Sequence, residues 1–204
     1  MIRKRSLIRR GAAVAVAGTA ALVLAACGGS GDSAAGHNGH TATSASASQG
    51  QHNAADTAFA QGMIPHHRQA VEMADLAPSR TESAEVKKLA EQIKMAQDPE
   101  IKTLSGWLTS WGEEVPAEGA MDHSAHGAGG MMTAEEMGQL AKASGTVFDT
   151  AFMEMMIKHH EGAVAMAKTE EAEGAFPGAK KMADAIITSQ TAEITQMNDL
   201  LGKS

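Results

Sequence analysis

Two histidine pairs, His66-His67 and His159-His160, are the residues of this chain best suited to chemistry. Each pair sits in the same phrase, Met-Ile-x-His-His followed two residues later by Ala-Val-x-Met-Ala. Imidazole is a ligand for borderline metals, and the thioether of Met63 or Met156, three residues before the first histidine of each pair, adds a soft donor. On a helix turning about 100° per residue, side chains three and four apart share a face. Met63 can therefore meet His66 and His67, and Met156 can meet His159 and His160. Such a patch selects Cu(I), which takes Met and His where thiols are absent, or Cu(II), which accepts His with oxygen ligands. Zinc can bind the histidines but leaves the methionines without a coordinating role. Calcium or magnesium would need several carboxylates.

Each part also has a bland role. Methionine at helical spacing usually fills a core, which is the commoner role for Met73, Met166 and Met182, with Met73 and Met166 also candidates for auxiliary metal ligands. Met63 and Met156 suit packing and ligation equally. Two His-His pairs at matched positions are harder to explain by packing than a lone histidine. Met121, His123, His126, Met131 and Met132 fall in a Gly-rich connection, where packing explains them poorly, and read as an auxiliary, exchangeable copper site. Asp56 and Asp149 fit a helix start as well as a metal.

The pairs belong to a repeat. Asp56 to Ala74 and Asp149 to Ala167 align without a gap at an offset of 93 residues, with 12 of 19 positions identical. At the same offset, Gln97, Glu100 and Ile101 align with Gln190, Glu193 and Ile194. The repeated unit is thus a helical hairpin of motif helix and partner helix, spanning about 55–111 and again 146–202, with the connection 112–132 between. Two amphipathic hairpins bury each other as an all-α four-helix bundle over residues 54–203, and no strand pattern competes.

The elements can be read in order. A first helix covers about 55–77, with Pro65 expected to kink it or restart it and Pro78 to close it. Ser79-Arg80-Thr81-Glu82 has capping-box spacing for a second helix running to about Trp111, bent near Asp98-Pro99. Thr133 to Glu136 forms another capping box, opening a short helix to Ala143. The third main helix spans about 146–172, and a turn at Gly174 to Gly178 leads to a fourth over about 179–201.

The first 27 residues read as a leader. Arg3, Lys4, Arg5, Arg9 and Arg10 precede an apolar stretch, Gly11 to Leu24, too short for a comfortable membrane span. Leu24-Ala25-Ala26-Cys27 resembles a bacterial lipoprotein processing site, so Cys27 is the expected lipid attachment and residues 28–53 a flexible tether. Export by the general or the twin-arginine route is left open. Cys27 is the only cysteine, so a soft-metal site beyond the leader must rely on thioethers, which survive conditions that would oxidise cysteine to a disulfide. A net charge of −7 disfavours nucleic acid as a partner. The expected partners are a metal ion, the membrane reached through the lipid, and a copper donor or acceptor protein.

A ferritin-like di-iron centre needs Glu-x-x-His on two helices, but here Met63 and Met156 stand where the glutamates would be. The exchange argues against di-iron oxygen chemistry and for binding without turnover. A metal-dependent oxidoreductase is the alternative on the same bundle, and a cell-surface interaction module with structural histidines is a third reading.

The doubled Met-Ile-x-His-His motif, the two Gln-x-x-Glu-Ile segments and Gly145-x-x-Phe148-Asp149 resemble the domain of unknown function 305 family, over about residues 55–202. The resemblance implies a ferritin-like, exported domain in a family with members implicated in copper binding and tolerance. It implies His66, His67, His159 and His160, with Met63 and Met156, as the metal positions.

Overall fold

Asn53 starts the first helix by accepting from the Ala55 and Asp56 amides, while the Asp56 carboxylate returns to the Asn53 amide at 2.6 Å. This reciprocal cap satisfies N–H groups that a helix start leaves without partners. The structure, a computed structural model, describes residues 51–119 and 128–203. The expected leader, Cys27 and nearly all of the expected tether lie outside the described residues, as do Met121, His123 and His126.

Five α-helices and one short 3-10 turn make up the described fold. They are α1 (Ala54–Arg80), α2 (Ala84–Trp111), the turn Ala128–Gly130, α3 (Ala134–Lys142), α4 (Gly145–Glu173) and α5 (Pro177–Leu200). No strand occurs among the described residues. The hairpins α1–α2 and α4–α5 pack together through α1 and α4, and α3 lies against both. The chain is the expected all-α bundle.

Two local expectations need correction. Pro78 does not close α1, which continues to Arg80. A proline removes its own N–H and crowds the preceding turn, but its φ suits the residues that follow. The Ser79 hydroxyl donates to the Leu76 carbonyl, and the Thr81 amide ends the helix on Ala77 O at 3.1 Å. Ser79 and Arg80 are thus still helical and cannot cap α2. Ser83 does so instead, with its Oγ accepting from the Val86 amide at 3.2 Å. The Thr133–Glu136 capping box forms as expected. Both Pro65 and Pro99 lie within continuous helices.

The core is divided. One apolar cluster gathers Ala70, Met73, Val86, Leu89, Ile93, Phe148, Phe152, Met156 and Met197. The other gathers Phe59, Met63, Ile64, Leu104, Leu108, Ala163, Ala179, Ala183 and Ile186. Residues of the two clusters correspond at the offset of 93, in one direction for α1 and α2 and in the other for α4 and α5: Phe59 and Phe152, Met63 and Met156, Leu104 and Met197, and Ile186 and Ile93. Along each of the four long helices the clusters are separated by polar residues. These are His66 and His67 in α1, Gln97 and Glu100 in α2, His159 and His160 in α4, and Gln190 and Glu193 in α5. A polar layer crosses the middle of the bundle.

Candidate metal centre

The polar layer brings the four motif histidines together. All four are buried, at 0–1% exposure. The rings of His66 and His159, one from each hairpin, stand 3.7 Å apart between centroids, and those of His159 and His160 stand 6.4 Å apart. Burying an imidazole costs free energy unless its nitrogens find partners. Three of the rings find one each. His67 Nε2 meets Glu100 Oε2 at 2.8 Å, and His160 Nε2 meets Glu193 Oε2 at 2.7 Å. His66 Nε2 donates to the Gly129 carbonyl at 2.8 Å.

In all four rings Nδ1 is buried without a partner, and in His159 Nε2 is too. A carbonyl only accepts, so a neutral His66 carries its proton on Nε2 and its free lone pair on Nδ1. A neutral His67 or His160 donating to its carboxylate is left in the same state. Metal-binding histidines are commonly held this way, with the far N–H given to a carboxylate or carbonyl that fixes the ring and raises its basicity. As the rings stand, no three His, Cys, Asp or Glu side chains among the described residues form a ready coordination group.

The electrostatics favour the ligand form. Burial, then repulsion from His67 and His160, lowers His66 to about 3, against the opposing bond to Gly129. Burial, then the neighbouring His66, His160 and His67, holds His159 well below the usual histidine range. Both rings are neutral at physiological pH, the state in which imidazole binds metal. Glu100 and Glu193 keep side-chain exposures of 21% and 17%, so they sit between the layer and water.

The remaining sequence candidates are placed variously. Met63 and Met156 are fully buried, each one helical turn before its histidines and each in a different apolar cluster. Met73 is buried in the first cluster, and Met166 is half-buried against the second. Met132 follows the loop but is 4% exposed and packed in the first cluster, so packing does account for it. Met131 is half-buried. Asp56 caps α1 and also accepts from the Ala175 and Phe176 amides, away from the histidines. Asp149 Oδ1 is buried without a partner.

Sequence reasoning left out Glu100 and Glu193 as parts of the site, although both lie in the repeated Gln-x-x-Glu-Ile segments. The signal was available. Each glutamate is 33 residues beyond the second histidine of its own hairpin, and both recur at the offset of 93 that the histidine pairs obey. Gly129 carried no such signal, because nothing in the connection repeats.

A sequence model described as "Domain of unknown function (DUF305)" matches residues 56–201. The chain belongs to the DUF305 family. Solved structures share the fold. A DUF305 protein of Streptomyces coelicolor, assigned as secreted, is 35% identical over 73% of this chain and 93% of its own, with a TM-score of 0.66. A DUF305 fragment from Deinococcus radiodurans is 27% identical over 74% of this chain and 98% of its own, at 0.68. CopM in its Cu(II)-bound form is 36% identical over 71% of this chain and 94% of its own, at 0.62. CopM has also been solved with Cu(I) and with silver. No curated protein sequence matches this DUF305 chain significantly.

Proposed function

We propose that this DUF305 chain binds copper outside the cytoplasm as cargo, for buffering, tolerance or delivery, through the buried histidine layer. One observation carries the reading. Four buried imidazoles from two hairpins present unpartnered Nδ1 atoms, and three of them are anchored through Nε2. A bundle stabilised only by packing gains nothing from such atoms, which cost free energy until something binds them. The copper and silver complexes of CopM support the choice of ion.

His66, His67, His159 and His160 would supply the nitrogen donors, and Met63 and Met156 the thioethers that favour Cu(I) over zinc. Copper supplies no reaction step in this reading; the protein's work is to hold it. Glu100 and Glu193 orient two of the rings, and their negative charge offsets part of the cost of placing a cation between two apolar clusters. The secreted assignment of the Streptomyces relative agrees with an exported chain. Within the same reading, residues 1–27 direct export, Cys27 carries the lipid and 28–53 form the tether. Met121, His123, His126 and Met131 then serve as an auxiliary, exchangeable copper site.

Titrating the purified domain with Cu(I) against a competing chelator tests this. Wild-type protein should bind at least tenfold more tightly than a variant with all four histidines replaced by alanine. Equal affinities would sink the proposal.

A further inference from the structure

Gln69 and Gly162 occupy the same place in the two motifs, 93 residues apart and three residues beyond the first histidine of each pair. They differ in type but share a neighbour, the segment 129–132. Gln69 grips the Met132 backbone in both directions. Its Nε2 donates to Met132 O at 2.8 Å, and the Met132 amide donates to its Oε1 at 2.7 Å, both bonds being buried. Gly162 meets the other end of the segment. A Cβ at this position would lie 1.6 Å from Gly129 O, and one on Gly130 would lie 2.3 Å from Lys158 O. Gly129 and Gly130 hold positive φ of 66° and 81°, which glycine adopts without strain. Between the two holding points, Gly129 O takes the Nε2–H of His66. The segment thus spans from α1 to α4 beside the closely approaching rings of His66 and His159, which are tilted by 40°.

We propose that segment 129–132 is a removable cover on the histidine layer, and that Gln69 and Gly162 act as positioning residues setting how fast an ion enters and leaves. This rests on the reading of that layer as the copper site. Lifting the cover breaks the two Gln69 bonds and frees His66 Nε2, while His67 and His160 keep their anchors on Glu100 and Glu193. A barrier common to entry and exit changes both rates by one factor and leaves the affinity in place.

The test follows Cu(I) transfer to and from a competing chelator by stopped flow, using the full chain. Gln69→Ala deletes both bonds, and Gly162→Ala forces Gly129 away. Two buried hydrogen bonds of ordinary strength correspond to faster opening by about tenfold or more. Both variants should show entry and exit faster by about that factor, with Kd changed by less than about threefold. In metal-free Gln69→Ala, hydrogen exchange at the Met132 amide should accelerate. Unchanged rates beside a deprotected Met132 amide would overturn the cover, as would a Met132 amide protected as in wild type. A Kd weakened in step with the exit rate would place these residues in binding itself. Failure of wild-type protein to bind Cu(I) sinks the histidine-layer reading, whereas normal binding with unchanged rates sinks the cover alone. Should Gly162→Ala not fold, Gln69→Ala, which adds no atoms, carries the test.

Discussion

At the scale of residues, the site consists of what each imidazole nitrogen touches. Nε2 of His67 and of His160 is assigned to a glutamate, and Nδ1 is left bare. Replacing Glu100 or Glu193 with alanine should therefore weaken Cu(I) binding by about 10- to 100-fold, the usual effect of losing a ring-orienting carboxylate. Chelator competition measures it, and the two variants should behave alike because the two contacts are matched. Met63 and Met156 give a second test. Leucine conserves their volume and should cost less than about 1.5 kcal/mol of stability. If their sulfurs bind the ion, Met63→Leu and Met156→Leu should each lose about tenfold or more in Cu(I) affinity and little in Cu(II) affinity. The histidines and these methionines were legible in the sequence because a doubled motif displays them. The roles of Glu100 and Glu193 were not read, although the same offset contains them, because a contact between helices joins residues whose separation has no local period.

At the scale of elements, helix existence followed from hydrophobic spacing, while boundaries followed from hydrogen bonds that spacing does not show. The end of α1 is one case, since a hydroxyl bond from Ser79 and the Thr81 amide carry it past Pro78. The start of α1 is another. Asp56 joins it to the turn between α4 and α5 by accepting from Ala175 and Phe176, at 3.2 and 2.9 Å. Glu170 is buried beside it. Burial first, then the Asp56 carboxylate, pushes Glu170 up to about 8, with Lys180 opposing. Burial alone would raise Asp56, but the neighbouring Glu170 and the Asn53, Phe176 and Ala175 amides outweigh it and leave it below its usual value. The sign for stability follows from linkage. Glu170 holds its proton more tightly in the fold, so its contribution is full below about 4.5 and is lost as pH rises through about 8. Thermal unfolding of the metal-free domain should show Tm falling across that window, and Glu170→Gln, which cannot ionise, should flatten the fall.

At the scale of the whole molecule, two apolar clusters related by the repeat are held apart by one polar layer. A four-helix bundle does not need such a layer to fold. The four fully buried histidines and the buried Gln97 and Gln190, whose Oε1 atoms lack partners, give up packing that apolar residues would provide. Binding an ion there should return stability. At a free Cu(I) concentration of about 100 times Kd, linkage gives about 2.7 kcal/mol, read as a higher Tm or denaturant midpoint. The four-histidine alanine variant should show no such gain. The architecture was legible because a repeat of hairpins leaves few ways to bury its faces. The cover was not, because the segment 129–132 has no counterpart in the repeat and its place depends on Gln69 and Gly162, where the two motifs differ. The most direct measurement is an anomalous-scattering map at the copper edge from crystals of the copper-loaded protein. Copper density is expected within the layer bounded by His66, His67, His159 and His160. Copper found only at other positions, with the four Nδ1 atoms still bare, would contradict that expectation.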